Sequence, residues 1–110
     1  MREILERLAA AGIQLLPLTQ LERHWVFERD GFISLVERTR EGGFGNIGAS
    51  GLWTERGMAV LVQRGSGHVF TARGYEEAAT TEQVNTLRRF ARDLEAALSA
   101  SPPIAIQSQG

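Results

Sequence analysis

The spacing of apolar positions along the chain is helical at the start, alternating through the middle and helical again near the end. Between Arg2 and Ala11, Ile4, Leu5 and Leu8 fall at helical intervals, Glu3 and Arg7 stand i,i+4, and Gly12 offers a C-terminal cap. This predicts a short amphipathic helix. At fewer than about 12 residues it is marginal alone and must lie on the rest of the domain. Ile13 to Leu18 is apolar up to Pro17, which suits an edge strand or a connector. Thr19 with Glu22 matches a capping box, but strand character follows at once, so a turn or a single helical turn is expected there.

His24-Trp25-Val26-Phe27-Glu28 and Phe32-Ile33-Ser34-Leu35-Val36-Glu37 are rich in β-branched and aromatic residues. Asp30-Gly31 between them is a hairpin signal, because its residues tolerate positive φ. Gly42 to Leu52 follows, with five of the chain's twelve glycines between Gly42 and Gly51, and then Trp53 and a turn at Glu55-Arg56-Gly57. Met58 to Arg64 is a strand, Gly65-Ser66-Gly67 turns it, and His68 to Arg73 returns. The middle of the chain therefore predicts an antiparallel meander.

Tyr75 to Ala79 read as a connector into a helix capped by Thr80, with Gln83 reaching back. Val84, Leu87, Ala91, Leu94 and Leu98 follow three-four spacing and Phe90 widens the stripe, while Arg89 and Asp93 are placed to pair on the solvated face. Beyond Ser99, SPPIAIQSQG has tandem prolines and polar residues, so residues 100–110 are expected to form a flexible tail unless Ile104 and Ile106 dock. The expected fold is one α+β domain over 1–99: a short N-terminal helix, a meander of about five strands, and a long C-terminal helix packed on the sheet.

Composition narrows the function classes more than it selects one. The 110 residues suffice for one core, and the absence of cysteine excludes disulfides, thiolate metal sites and a thiol nucleophile. All basic residues are arginine, which removes lysine nucleophile and Schiff-base chemistry. Because the arginines are spread over every segment, genome composition explains the bias better than an anion-binding stripe. A formal charge of −1 gives no global field for nucleic acid or anionic membrane. No apolar run approaches the roughly 18 residues of a membrane span, and Glu3 and Glu6 interrupt what an export signal would keep apolar. The expected location is the cytoplasm.

Candidate chemistry is sparse. Gly43-Phe44-Gly45-Asn46-Ile47-Gly48 matches the letters of a GxGxxG phosphate loop, yet Ala49-Ser50-Gly51 leads towards another strand instead of opening a helix. A bulged strand or wide turn explains the glycines, and a loop presenting Phe44, Asn46 and Ile47 to a ligand is the functional counterpart. The two histidines, His24 and His68, could share a face with Glu28 if their strands paired, but no HxH or HExxH spacing supplies a metal set. No cofactor motif selects a nucleotide or a metal. Trp25, Phe27, Phe44, Trp53, Phe70 and Tyr75 could form a platform for single-stranded nucleic acid, which the balancing acids disfavour. A sheet backed by helices on one side leaves its other face needing cover.

These readings rank a non-catalytic protein-interaction or homodimerisation module first. A small-molecule-binding or enzymatic domain comes second, with a site between the Gly42–Gly51 loop and the His24 and His68 strands. The candidate surface is His24, Glu28, Phe44, Asn46, Ile47, Trp53 and His68. Nucleic-acid binding ranks last.

Overall fold

The computed structural model describes residues 2–16 and 23–99. Helix α1 (Arg2–Ala10) leads into strand β1 (Gln14–Leu16), followed by β2 (His24–Arg29), β3 (Phe32–Arg38), β4 (Phe44–Thr54), β5 (Gly57–Arg64), β6 (Gly67–Ala72), β7 (Tyr75–Ala78) and helix α2 (Thr81–Ser99). The α+β class and the meander hold, with seven strands instead of about five, hydrogen-bonded in chain order as one antiparallel sheet. The surplus comes from the two edges. The apolar stretch before Pro17 contributes β1, and the expected connector at Tyr75 is β7, turned back by Gly74 at φ +71° and paired through Ala72–Tyr75 and Phe70–Glu77. Its two acids suit an edge, where charge discourages further pairing. Both the Thr19–Glu22 capping motif and residues 100–110 lie outside the described residues.

Local chemistry sets the ends of the elements. Asp30 at φ 55° and Gly31 at φ 87° make the two-residue β2–β3 turn, whose register aligns Arg29 with Phe32. Helix α1 stops at Gly12 (φ 76°), with the Ile13 amide donating to the Leu8 carbonyl at 2.9 Å. At the start of α2 the capping box is complete: the Gln83 amide donates to Thr80 Oγ1 at 3.0 Å, and the Thr80 amide donates to Gln83 Oε1 at 2.8 Å.

Both helices pack on the same side of the sheet. Leu8 of α1 and Leu87, Phe90, Leu94 and Ala97 of α2 close over Phe27, Phe32, Val36, Ala59 and Phe70. Phe27, Phe70 and Phe90 are fully buried and form the centre of this core. Arg29 ties the layers together: its guanidinium donates to the Ala11 carbonyl at 3.0 Å and to Asp93 at 2.9 Å, and lies 5.6 Å from the Phe90 ring centroid. Asp93 thus pairs across to the sheet, not with Arg89 along the helix as its i,i+4 spacing predicts; Arg89 instead donates to Thr86 Oγ1. A part-buried guanidinium that also satisfies a helix-terminal carbonyl offers the carboxylate more than a solvated neighbour does.

Candidate functional site

Alternation along the strands sorts the sheet residues into two faces. Ala59 and Leu61 point into the helix-covered core, so Met58, Val60 and Val62 point the other way. The register sets Trp53 opposite Met58, Val60 opposite Thr71, and Val62 opposite Val69. With Thr71 as the one polar member, Trp53, Met58, Val60, Val62 and Val69 make a largely apolar row across β4, β5 and β6 on the face where no described helix packs. Trp53 is 42% exposed, and Met58, Val60, Val62 and Val69 are half-buried. Beside the row, Arg64 and Glu76 form an ion pair at 3.2 Å.

The glycine-rich segment is a strand with two irregularities, not a phosphate loop. Ser34 faces Ser50, Val36 faces Ile47, and Arg38 faces Phe44, so β4 twice spends three residues where β3 spends two. Each extra residue is a bulge that bends the strand. At Gly51 the strand also changes partners. β5 meets β4 only from Gly51–Val60 to Thr54–Gly57, and then continues alone with β6. A Cβ on Gly51 would sit 2.2 Å from the Ala59 carbonyl oxygen, so only glycine allows the two strands to approach this closely where they diverge. The first half of β4 thus has β3 on one side and, among the described residues, no strand on the other. Against that free side, Gly45, Asn46 and Ile47 with Glu95 and Leu98 of α2 line an open cleft of about 490 Å³.

The residues singled out in the sequence separate between these places. Asn46 is exposed at the cleft and Ile47 half-buried in its wall. Phe44 belongs to the core instead, edge-on to Trp25 at 5.6 Å and tilted on Phe27 at 5.7 Å, with Trp25 Nε1 donating to the Gly43 carbonyl. Trp53 lies on the open face. Glu28 has a structural task, accepting from Gln14 Nε2 and from the Gly31 amide, and so braces the hairpin. His24 sits opposite Glu37 on the face of β2 away from the helices, which it shares with the buried Val26, whereas His68 sits opposite Gln63 on the helix side of β6. Four strand steps, about 19 Å, and the sheet itself lie between the two imidazoles. His24, Glu28 and His68 therefore do not converge.

Other arrangements follow suit. The described residues include no group of three or more His, Cys, Asp or Glu side chains placed to hold a metal ion. The six aromatics do not form one platform: Trp25, Phe27, Phe44 and Phe70 belong to the helix-side core, and Trp53 is on the far face. Glu76 and Glu77 lie in β7, where Glu76 pairs with Arg64 and Glu77 accepts the Tyr75 hydroxyl. That hydrogen bond, with smaller contributions from desolvation and the carboxylate charge, holds the Tyr75 phenol above its ordinary pKa of 10.0. No helix among the described residues is long and apolar enough to cross a membrane.

Two elements of these sites escape motif reading. Arg29 is one, because nothing local marks its partners. The cleft walls Glu95 and Leu98 are another, since they meet β4 only in the fold. The open face did leave a signal: Gly57-Met58-Ala59-Val60-Leu61-Val62 is apolar at both parities, as in strands covered on both sides. Comparison of the chain with protein-family models, curated proteins and solved structures returned no match.

Proposed function

We propose that this chain is a non-catalytic interaction module that forms a homodimer through the helix-free face of its sheet. The observation that carries this reading is the Trp53, Met58, Val60, Val62 and Val69 row, apolar and without a described covering element. Contiguous apolar surface of this kind marks association sites. The α2 seam does not compete for the role, because Leu87, Phe90 and Leu94 are consumed by the chain's own sheet.

A second copy fits the face better than an unrelated partner does. Arg64 and Glu76 place both signs of charge in one rim, and a twofold axis running between them would set each beside its opposite on the other copy. Two such sheets stack about 10 Å apart, as in a sandwich, with the valines interdigitating. A native mass spectrum of gently purified protein tests this. The expected species is a bare dimer at twice the 12.1 kDa chain mass. A monomer carrying a discrete extra mass overturns it in favour of a small-molecule site.

A further inference from the structure

Two arginines stand opposite each other at one end of the sheet, on the helix side and away from the proposed dimer face. Pairing of β2 with β3 runs one residue beyond His24–Glu37, because the Arg38 amide donates to the Arg23 carbonyl at 2.9 Å. Strand alternation then puts Arg23, Trp25, Val36 and Arg38 on one face. Val36 and Trp25 join the core there, and both arginines are exposed beyond them. Side chains directly opposed in this way have Cβ atoms about 5 Å apart, and like charges so placed repel. Arg29 and Arg64 each have a carboxylate partner, but among the described residues neither Arg23 nor Arg38 forms an ion pair.

Arg38 is also held in position. Its guanidinium lies over the Trp25 ring, 4.0 Å from the centroid, in a cation–π contact. Trp25 is itself fixed, since its Nε1 donates to the Gly43 carbonyl at 2.9 Å and its ring meets Phe44 edge-on at 5.6 Å. The ring engages the guanidinium without using its N–H groups, which meet no acceptor among the described residues. A flat fork oriented this way suits bidentate contact with an oxyanion.

We propose that Arg23 and Arg38 hold the phosphate group of a phosphate monoester between them, with Trp25 as the platform that orients Arg38. Charge selects the ligand. A monoester carries about −1.5 to −2 near pH 7 and three acceptor oxygens, which matches two guanidiniums. A carboxylate or a phosphodiester brings a single charge and leaves the repulsion half compensated. The glycine letters of the GxGxxG segment contribute to this site only through the Gly43 carbonyl, which accepts from Trp25. Because both arginines are exposed, water and salt screen them, and a dissociation constant of about millimolar is expected.

The test is an NMR titration of the isotope-labelled full chain with methyl phosphate at about pH 8, where the monoester is a dianion. Dimethyl phosphate and acetate at the same ionic strength serve as monoanions. The expected result is a saturable shift of the Trp25 indole and the Arg23 and Arg38 amide resonances with methyl phosphate, and no saturation with the other two. Arg23→Gln and Arg38→Gln should each weaken binding roughly tenfold, as loss of one charge-assisted contact does. An unmoved Trp53 indole resonance in each variant reports an intact fold. Absence of saturation with methyl phosphate overturns the proposal. Equal binding of acetate or dimethyl phosphate overturns the choice of a dianion, and a shift that survives either substitution places the anion elsewhere and overturns the site. None of these outcomes depends on whether the open face dimerises.

Discussion

At Gly51 a single hydrogen in place of a methyl group decides the course of a strand. The Ala59 carbonyl oxygen occupies the position a Cβ would need, and backbone on both sides prevents easy relief. Gly51→Ala is expected to cost about 3 kcal/mol, at the upper end of overpacking penalties, read as a lowered urea midpoint. Phe90→Ala, at the fully buried centre of the core, is expected to cost about 3–5 kcal/mol by the same measurement. Tyr75 offers a residue-scale titration, because it is the only tyrosine of the chain. Its hydrogen bond to Glu77 favours the protonated phenol, so its absorbance midpoint is expected above 10.0 and should fall in Glu77→Gln. With the folded value raised, this contribution to stability is present in full below the ordinary pKa and is lost as pH rises through the folded one. At this scale the sequence spoke clearly where neighbours in the chain set the outcome. Asp30-Gly31 and the Thr80–Gln83 box act within four residues, and both formed as read.

Elements were legible in proportion to how far their own residues determine them. The α2 stripe and the β5–β6 hairpin announce themselves through spacing and turn residues. β7 does not, since Glu76 and Glu77 have little strand character and take their conformation from the β6 edge. Asp93 shows the same limit, for its local partner was Arg89 and its actual partner stands on β2. Arg29 joins the α1 terminus, the sheet and α2, and that linkage is testable. Asp93→Ala is expected to cost about 1 kcal/mol, since the carboxylate is 40% exposed and water screens the pair, with a smaller loss at high salt. Arg29→Ala removes the contact to Ala11 as well, so amide exchange should accelerate through α1 before it does in α2.

For the whole molecule, the question is what covers a sheet that is apolar on both sides. The sequence predicts helices on one side of the sheet and hence a second face needing cover; in the fold both helices do pack on one face, and the apolar stripe of α2 is spent there. The fold also shows why the histidine site could not be read in advance: face and strand order are properties of the complete sheet, and they put His24 and His68 on opposite sides. The most direct test of the dimer is sedimentation equilibrium of the wild-type chain beside Val62→Glu, with Trp53→Ser as a milder variant at the exposed end of the row and far-ultraviolet circular dichroism to confirm folding. The account predicts a concentration-dependent dimer of the wild-type chain and folded monomers of both variants. A wild-type chain that stays monomeric at every concentration, or a dimer that both substitutions leave intact, would contradict it.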